Sequence, residues 1–147
     1  MRLKIDMIQV TRHALVPYTA EQMFNLVNNI EVYPDFLPWC KEASILSSTE
    51  QSIEARLKVS QGAVTQAFTT INELIKNQKI VMRLKEGPFK HLEGIWLFEP
   101  CQEGCHIRFD MQFEFSNPIM AALISGKFKT MVGTLVQAFT DRAKQVY

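Results

Sequence analysis

The sequence HIRFDMQFEF, residues 106–115, alternates polar and apolar residues without a break. Successive side chains of a β-strand point to opposite faces, so this pattern predicts a strand with one apolar and one polar face. The apolar positions are Ile107, Phe109, Met111, Phe113 and Phe115. The apolar face of such a strand needs a cover, and the segment that follows is suited to provide one.

A long helix is predicted immediately after this strand, from about Pro118 to Val146. Asn117 is a suitable N-cap, and Pro118 suits the first helical position because its missing N–H has no partner there in any case. Large apolar side chains recur every three or four positions and predict one buried stripe, which Ile119 and Leu123 widen. The stripe consists of Met120, Ile124, Phe128, Met131, Leu135 and Phe139. About 29 residues at 1.5 Å each extend roughly 43 Å, enough to cross a sheet.

The N-terminal third predicts one strand and two short helices. Met7–Val16 is rich in β-forming residues and is predicted to be the first strand. Thr19 and Gln22 have the spacing of a capping box, which begins a helix. Pro34 and Pro38 limit this helical region, because the residue before a proline is pushed out of the helical conformation.

Alternating strands are predicted from residue 53 to residue 98, separated by turn signals at Gln61-Gly62 and Gly87-Pro88. The elements together predict an α+β fold, in which one curved antiparallel sheet wraps around a long C-terminal helix. A sheet curved in this way leaves space between its concave face and the helix. Ten Phe and seven Met residues fit two interpretations of that space, an irregular core or the lining of an apolar pocket.

Length and charge indicate a single domain over residues 1–147, structured from about residue 7. A chain of 147 residues buries about 70% of its unfolded surface. Sixteen Lys and Arg nearly balance fifteen Asp and Glu, so the basic signature of a DNA-binding domain is missing. The sequence lacks a signal peptide, a run of about 18 apolar residues and a paired cysteine framework, which favours a cytoplasmic protein.

The sequence carries no recognisable catalytic motif. Patterns for a serine nucleophile, for phosphate or dinucleotide binding and for a zinc protease are absent. Cys101, Cys105 and His106 form a metal-like cluster, but no fourth ligand lies near them in sequence. Asp110 and Glu114 alternate away from the apolar face. We therefore expect no catalytic residue, no metal ion and no enzymatic activity.

The segment YPDFLPWC, residues 33–40, concentrates large apolar residues between two prolines. It fits a hydrophobic plug at the edge of the sheet. It also fits a semi-rigid rim around the mouth of a cavity, or a patch that contacts a partner.

Three segments of the chain resemble the coenzyme Q-binding branch of the START/polyketide-cyclase-like superfamily. They are YPDFLPWC at 33–40, GPFKHLEGIWLF at 87–98 and FEFSNP at 113–118. The resemblance implies a helix-grip fold of the START and Bet v 1 type. It also implies a cavity for a polyprenyl quinone such as ubiquinone, or another lipid, in a non-enzymatic role that supports respiratory electron transport.

The resemblance and the apolar faces of the strand and helix together predict the ligand-binding residues. They are Phe36, Leu37, Pro38, Trp39, Phe89, Leu92, Trp96, Phe109, Met111, Phe113, Phe115, Met120, Ile124, Phe128, Met131 and Leu135. For a protein that exchanges a lipid, a transient contact with a membrane surface is a further expectation.

Two alternative functions follow from the same resemblance. Bacterial members of this branch are described as toxins of toxin–antitoxin pairs, which bind the large ribosomal subunit and block subunit association and translation. A basic surface around Lys85, Lys90, Lys127 and Lys129 would serve such a role. Other relatives are polyketide cyclases or aromatases, a function that requires an acid–base pair inside the cavity.

Overall fold

The computed structural model describes residues 7–147, and within them the chain forms seven strands and four helical segments. The strands are β1 (Ile8–Val16), β2 (Cys40–Ser48), β3 (Ser52–Gln61), β4 (Val64–Ile75), β5 (Lys79–Glu86), β6 (Phe89–Cys101) and β7 (Gly104–Phe115). The helices are α1 (Ala20–Asn28), a 3-10 helix (Ile30–Asp35), α2 (Pro118–Gly133) and α3 (Leu135–Val146).

The strands form one antiparallel sheet in the order β1-β7-β6-β5-β4-β3-β2. From β2 to β7 each strand pairs with the next one in sequence, as the predicted meander requires. The first strand pairs with the last, from Ile8 opposite Phe113 to Val16 opposite Cys105. The helices cover one face of this sheet, so the predicted α+β helix-grip architecture is confirmed.

Two tight turns of the meander depend on glycine. Gly104 has a φ of +153°, and a Cβ atom on it would lie 2.1 Å from the carbonyl oxygen of Val16. Gly87 has a φ of +151°, and a Cβ there would lie 2.5 Å from the Cβ of Phe68. Side chains rarely adopt these φ values, and neither position has room for one. Gly104 thus lets the start of β7 approach the end of β1, and Gly87 lets the β5–β6 turn approach β4.

The first helices form where the sequence predicts them. The Thr19 hydroxyl accepts a hydrogen bond from the Gln22 backbone N–H at 3.0 Å, and the Gln22 side chain accepts one from the Thr19 N–H at 2.9 Å. This reciprocal capping box orients α1 so that Met23, Leu26 and Val27 are buried against the sheet. The 3-10 helix follows directly and supplies the second short helix.

The C-terminal helix begins as predicted and is interrupted once. Asn117 Oδ1 accepts hydrogen bonds from the backbone N–H groups of Ile119 and Met120, at 2.8 and 3.1 Å. The helix is broken at Thr134, whose hydroxyl donates to the carbonyl oxygen of Met131 at 2.7 Å. A threonine hydroxyl that competes for a helical carbonyl in this way bends helices. The prediction of one continuous helix is therefore corrected to α2 followed by α3.

Strand β2 lies at the edge of the sheet and is not predicted by the sequence pattern. Its side chains are mostly exposed, and its pairing with β3 contains two register shifts, at Cys40/Glu42 and Ile45/Ser47. Each irregularity breaks the strict alternation of inner and outer residues. An edge strand of this kind leaves no clear periodic pattern in the sequence.

The core lies between the concave face of the sheet and the helices. All five apolar residues of the β7 pattern are buried, as predicted. From the helix stripe, Ile124, Phe128, Met131 and Phe139 are buried, whereas Met120 and Leu135 are half-buried. Ile119 and Leu123 lie on the outside instead of widening the buried stripe. The apolar part of α2 is therefore wider than the surface that the sheet covers.

Taken by itself, Pro118–Val146 is long and apolar enough to cross a membrane. The core helix of a globular protein satisfies the same criterion, and here α2 and α3 both pack on the sheet. Length and composition are therefore weak evidence for a membrane span.

Candidate ligand-binding interior

The interior contains two groups of interlocking aromatic rings. The first lies beneath α2, where Phe89 stacks on Phe115 with ring centroids 4.6 Å apart. Phe128 of α2 packs edge-on against Phe113 at 4.8 Å and lies 5.4 Å from Phe89. These rings come from three different elements, and they fill the end of the sheet at which α2 begins.

The second aromatic group lies beneath α3 and the 3-10 helix. Trp96 stacks on Phe109 with centroids 4.3 Å apart, and Phe139 of α3 meets Trp96 edge-on at 5.3 Å. Phe36 and Tyr33 pack on the other side of Phe139, at 5.3 and 5.4 Å. Edge-to-face and offset-stacked pairs at these separations stabilise a core beyond the area that they bury.

Only small spaces remain between these rings in the described chain. One void of about 20 Å³ lies between α1, the 3-10 helix and the sheet, and another of about 10 Å³ lies under α2. Each has room for about one water molecule, whereas ligand pockets usually enclose roughly 300–1,000 Å³. Of the two interpretations left open by the composition, the structure therefore shows an aromatic core. The larger depressions, such as one of about 980 Å³ beside the β2–β3 turn, lie on the outside.

A buried polar pair interrupts the apolar interior. Thr70 and Asn72 point inward from β4, and the Thr70 hydroxyl donates to Asn72 Oδ1 at 2.8 Å. Asn72 lines the void of about 20 Å³ together with Tyr33 and Trp96. The sequence signal was available, because Thr70 and Asn72 occupy the inward positions between Phe68 and Leu74. The pair is not predicted from the sequence, because short polar side chains on a strand usually face water.

Tyr33 is the titratable group that lies closest to this void. Its hydroxyl donates to the backbone carbonyl of Val27, and burial raises its pKa far above the usual range. A tyrosine that already donates to a fixed acceptor and resists ionisation is a poor proton-transfer group at neutral pH. Its visible role is to hold the 3-10 helix against α1.

The predicted ligand-binding residues occupy three environments. Those buried in the interior are Leu37, Phe89, Leu92, Trp96, Phe109, Met111, Phe113, Phe115, Ile124, Phe128 and Met131. Those that are half-buried are Phe36, Trp39, Met120 and Leu135, while Pro38 is exposed. Their role in ligand binding stays a prediction.

The segment 33–40 closes the end of the interior beneath α3. Phe36 packs against Phe139, and the guanidinium of Arg142 lies 5.2 Å from the centre of the Phe36 ring on the outer side. The cysteine that ends the segment, Cys40, is buried at the start of β2. These contacts favour the plug interpretation over the rim interpretation.

The β3–β4 hairpin contacts α2 through two amide–sulfur pairs at the edge of the interior. The Gln61 side-chain amide donates to the sulfur of Met131 at 2.8 Å, and that of Gln66 approaches the sulfur of Met120 at 3.9 Å. A thioether is a weak acceptor. We call the contact of these four residues the α2 seam, and the void of about 10 Å³ lies directly inside it.

The ionisable residues of β7 lie on its outer face, as the alternation predicts. Asp110 accepts hydrogen bonds from Arg108 Nε at 2.9 Å and from the Thr11 hydroxyl at 2.6 Å. These bonds, the Arg108 bond above all, hold the pKa of Asp110 below its usual range. Glu114 lies 3.9 Å from Lys90. Both carboxylates therefore take part in surface ion pairs.

The cysteines do not form a metal site. Burial raises the pKa of Cys40 and of Cys105 to about 11, while Cys101 is exposed. Within residues 7–147, no three His, Cys, Asp or Glu side chains come close enough together to hold a metal ion. Cys40 and Cys105 are part of the packing instead.

The sequence of the chain matches a known family, described as polyketide cyclase / dehydrase and lipid transport, over residues 16–140. The chain belongs to this family. A START superfamily protein from Mycobacterium smegmatis has the same fold, with a TM-score of 0.74 at 22% identity over 96% of this chain and 99% of that one. The helix-grip sheet described above is thus a START-like fold.

Two named relatives correspond to two of the functions that the resemblance implies. The ribosome association toxin RatA of Escherichia coli is 47% identical over 99% of this chain and 92% of its own length. The mitochondrial coenzyme Q-binding protein COQ10 homolog B of Xenopus laevis is 28% identical over 95% of this chain and 59% of its own length. The family resemblance predicted from the sequence is confirmed.

Proposed function

We propose that this family member is a non-enzymatic binding protein whose interior takes up a polyprenyl quinone such as ubiquinone. The observation that carries the proposal is the chemistry of the interior, a deep aromatic layer interrupted by the Thr70–Asn72 pair. A quinone combines a long apolar tail with a ring that carries two carbonyl acceptors. The name of the coenzyme Q-binding relative supports the same ligand class.

Asn72 is suited to bind a quinone carbonyl. Its Oδ1 accepts the Thr70 hydroxyl, so the side-chain NH₂ group is the part that can donate to a ligand. Trp96 and Tyr33 line the same void and offer ring faces to the quinone head. The rings beneath α2 would then surround the tail, where burial of apolar surface contributes about 25 cal/mol per Å² before the costs of association.

Binding requires the interior to expand. A ring system cannot enter voids of about 20 and 10 Å³, so side chains must move apart. The α2 seam is the place where this is least costly, because it is held by weak amide–sulfur contacts and not by a strand ladder. We infer that the β3–β4 turn separates from α2 when ligand enters, and that the rings around the void of about 20 Å³ shift to admit the quinone head.

Two measurements test the quinone proposal. Organic extraction of the purified protein followed by mass spectrometry should recover a quinone, and added short-chain ubiquinone should quench the tryptophan fluorescence, which comes from Trp39 and Trp96. An Asn72→Leu variant should bind the short-chain quinone about tenfold more weakly, which corresponds to one lost hydrogen bond.

Ile71 provides the matched control for the quinone test. Ile71 directly precedes Asn72 in β4 and faces the outside, with an exposed fraction of 37%. Ile71→Thr should bind quinone like the parent protein. Recovery of no quinone, together with no quenching by added quinone, would rule the proposal out.

We propose a second function, binding of the large ribosomal subunit, because the ribosome association toxin is the more similar relative. In this role the protein would act in the cytoplasm as one START-like domain and block subunit association. Of the predicted basic residues, Lys85 pairs with Glu54 at 2.9 Å and Lys90 lies near Glu114. Lys127 and Lys129 are exposed on α2 and are the better candidates for a contact with RNA.

Sedimentation of ribosomes through a sucrose gradient tests the second function. Addition of the purified protein should increase free subunits at the expense of assembled ribosomes. A Lys127→Glu/Lys129→Glu variant should lose this effect, whereas Lys144→Glu on the outer side of α3 should keep it. A profile that the parent protein leaves unchanged would contradict the proposal. A protein that passes both this test and the quinone test has both functions.

A further inference from the structure

The outer side of α2 is apolar at the positions where a surface helix normally carries polar residues. Ile119 and Leu123 have exposed fractions of 73% and 65%, and Ala122 and Gly126 are exposed between them. The buried side of the same helix is also apolar, with Ile124 and Phe128 in the core. A helix that is apolar on both sides needs a second apolar environment for its outer side.

The charges that α2 itself carries have one sign, and beyond the helix Glu114 lies beside Lys90 near Ala122. The sequence of α2, PIMAALISGKFKTMVG, contains no acidic residue, and its charges are Lys127 and Lys129. With 3.6 residues per turn, these lysines lie on either side of the line through Ile119 and Leu123. We call Ile119, Ala122, Leu123, Lys127 and Lys129 the α2 face. Exposed apolar side chains flanked by lysines can enter the acyl boundary of a membrane while the lysines contact anionic head groups.

We propose that the α2 face docks on the surface of a bilayer that contains anionic lipids. Ile119 and Leu123 would enter the boundary between head groups and acyl chains, while the two lysines reach the anionic head groups. RNA offers phosphate for the lysines but no apolar layer for Ile119 and Leu123. A lipid bilayer complements both parts of this surface.

Docking in this orientation places the α2 seam at the membrane. Leu123 on the outer side is followed by Ile124, which lines the void inside the α2 seam. Met120, one turn earlier, belongs to the seam itself. A quinone leaving the acyl layer would therefore meet the part of the interior that opens most readily. This link to ligand exchange rests on the proposed quinone function, whereas docking itself does not.

Flotation with vesicles tests the docking. The full-length protein is mixed with vesicles of phosphatidylcholine alone or of phosphatidylcholine and phosphatidylglycerol in equal parts. We expect flotation with the anionic vesicles and on the order of tenfold weaker partitioning for the Ile119→Ser/Leu123→Ser variant. A Lys127→Gln/Lys129→Gln variant should lose the preference for phosphatidylglycerol and the dependence on salt.

Leu15 provides the matched control for docking. Its exposed fraction is also 73%, but it lies near the end of β1 opposite Cys105 and His106, at the far end of β7 from Phe115. Leu15→Ser should float like the parent protein. Absence of flotation with anionic vesicles, or equal flotation of the Ile119→Ser/Leu123→Ser variant, would overturn the proposal.

The outcomes separate docking from the quinone function. The Ile119→Ser/Leu123→Ser variant should still bind short-chain quinone in solution, because neither side chain lines the interior. Flotation without any quinone binding supports docking and overturns the quinone proposal. If the Ile119→Ser/Leu123→Ser variant floats normally but loses its effect on ribosome profiles, the α2 face is an RNA or ribosomal protein contact and the docking proposal is wrong.

Discussion

The two halves of the C-terminal helix bury their apolar residues to very different degrees. In α3, Val136, Phe139 and Ala143 are buried and the outer side carries charged and amide groups. In α2, apolar residues occupy both sides, and Ile119 and Leu123 face outward. One half therefore has the amphipathic pattern of a scaffold helix, and the other has more apolar surface than its own protein can cover.

The side-chain contacts of α3 and of the margin of α2 also differ. Phe139 of α3 touches Tyr33, Phe36 and Trp96, which come from different elements. The outer edge of α2 is held to the β3–β4 turn by amide–sulfur contacts. Phe128 of α2 also packs among three rings, so the two halves differ at this margin of α2 and not in their cores. It is at this margin that we propose opening for a ligand. Thr134 separates the two halves, so movement of α2 need not be transmitted along one rigid rod.

The largest expected effect concerns Phe139. Phe139→Ala should lower the free energy of unfolding by about 3–5 kcal/mol, because a ring packed among three other rings leaves a cavity. Leu123→Ser should change it by less than about 0.5 kcal/mol, since the side chain already contacts solvent. Urea denaturation followed by tryptophan fluorescence measures both. Similar losses for the two variants would contradict the placement of Leu123 on the outer side of α2.

The polar pair beneath α1 should respond differently to single and double substitution. Asn72→Leu leaves the Thr70 hydroxyl without its acceptor and should cost about 1–3 kcal/mol of unfolding free energy. Thr70→Val/Asn72→Leu removes both partners and should be close to neutral while still weakening quinone binding. Thermal unfolding and the quenching titration report the two effects. If the double variant is less stable than Asn72→Leu, the pair is structural rather than retained for a ligand.

The N-cap of α2 should affect one half of the helix alone. Asn117→Ala removes the acceptor of two backbone N–H groups and should cost about 1 kcal/mol. Hydrogen exchange should accelerate for the amides of α2 and remain unchanged in α3, because Thr134 interrupts the helix between them. Faster exchange in both halves would mean that they open together.

Gly126 offers a stabilising change in α2. A Cβ at this position meets no atom within 4 Å, so Gly126→Ala should raise the unfolding free energy by up to about 1 kcal/mol through its higher helix propensity. The melting temperature measures the change. Gly133→Ala is the contrasting variant, since its Cβ would lie 3.0 Å from Arg12 Nη2, and it should gain less.

The smallest expected effect is on thiol reactivity. Cys40 and Cys105 lie on the α3 side of the molecule, and their pKa values of about 11 keep both thiols protonated at neutral pH. A thiol-specific reagent should react quickly with one cysteine, Cys101, and Cys101→Ser should abolish that fast reaction. Fast reaction of Cys40 would show that the α3 side opens as well.

Much of the fold could be predicted from the sequence because its signals are local and periodic. The alternation in β7 determines which side chains are buried. The Thr19–Gln22 capping box, the Asn117 N-cap and the turn glycines determine where elements begin and reverse. Strand β2 could not be predicted, since an edge strand with two register shifts has no regular period. The break at Thr134 was also missed, because a single hydroxyl decides it by bonding to a nearby carbonyl.

The candidate site could be predicted only in part. Periodicity identified Phe109 and Phe128 as residues of the apolar interior and the family resemblance added Trp96, but neither reports how much space lies between them. The volume left inside depends on the fit of rings from distant elements, so only the tertiary structure shows that the interior is filled. The inward position of Thr70 and Asn72 follows from the alternation of β4, but only the tertiary structure shows that their side chains are hydrogen-bonded to each other.

The stretch HIRFDMQFEF determined a strand with one buried face, and the periodic segment after it determined a helix to cover that face. A period of two residues can be read from the chain alone. Only the tertiary structure decided how much of the helix the sheet would cover. Burial is set by the area of the partner surface and not by the hydrophobicity of a residue, and for this reason Phe128 is in the core while Leu123 faces outward.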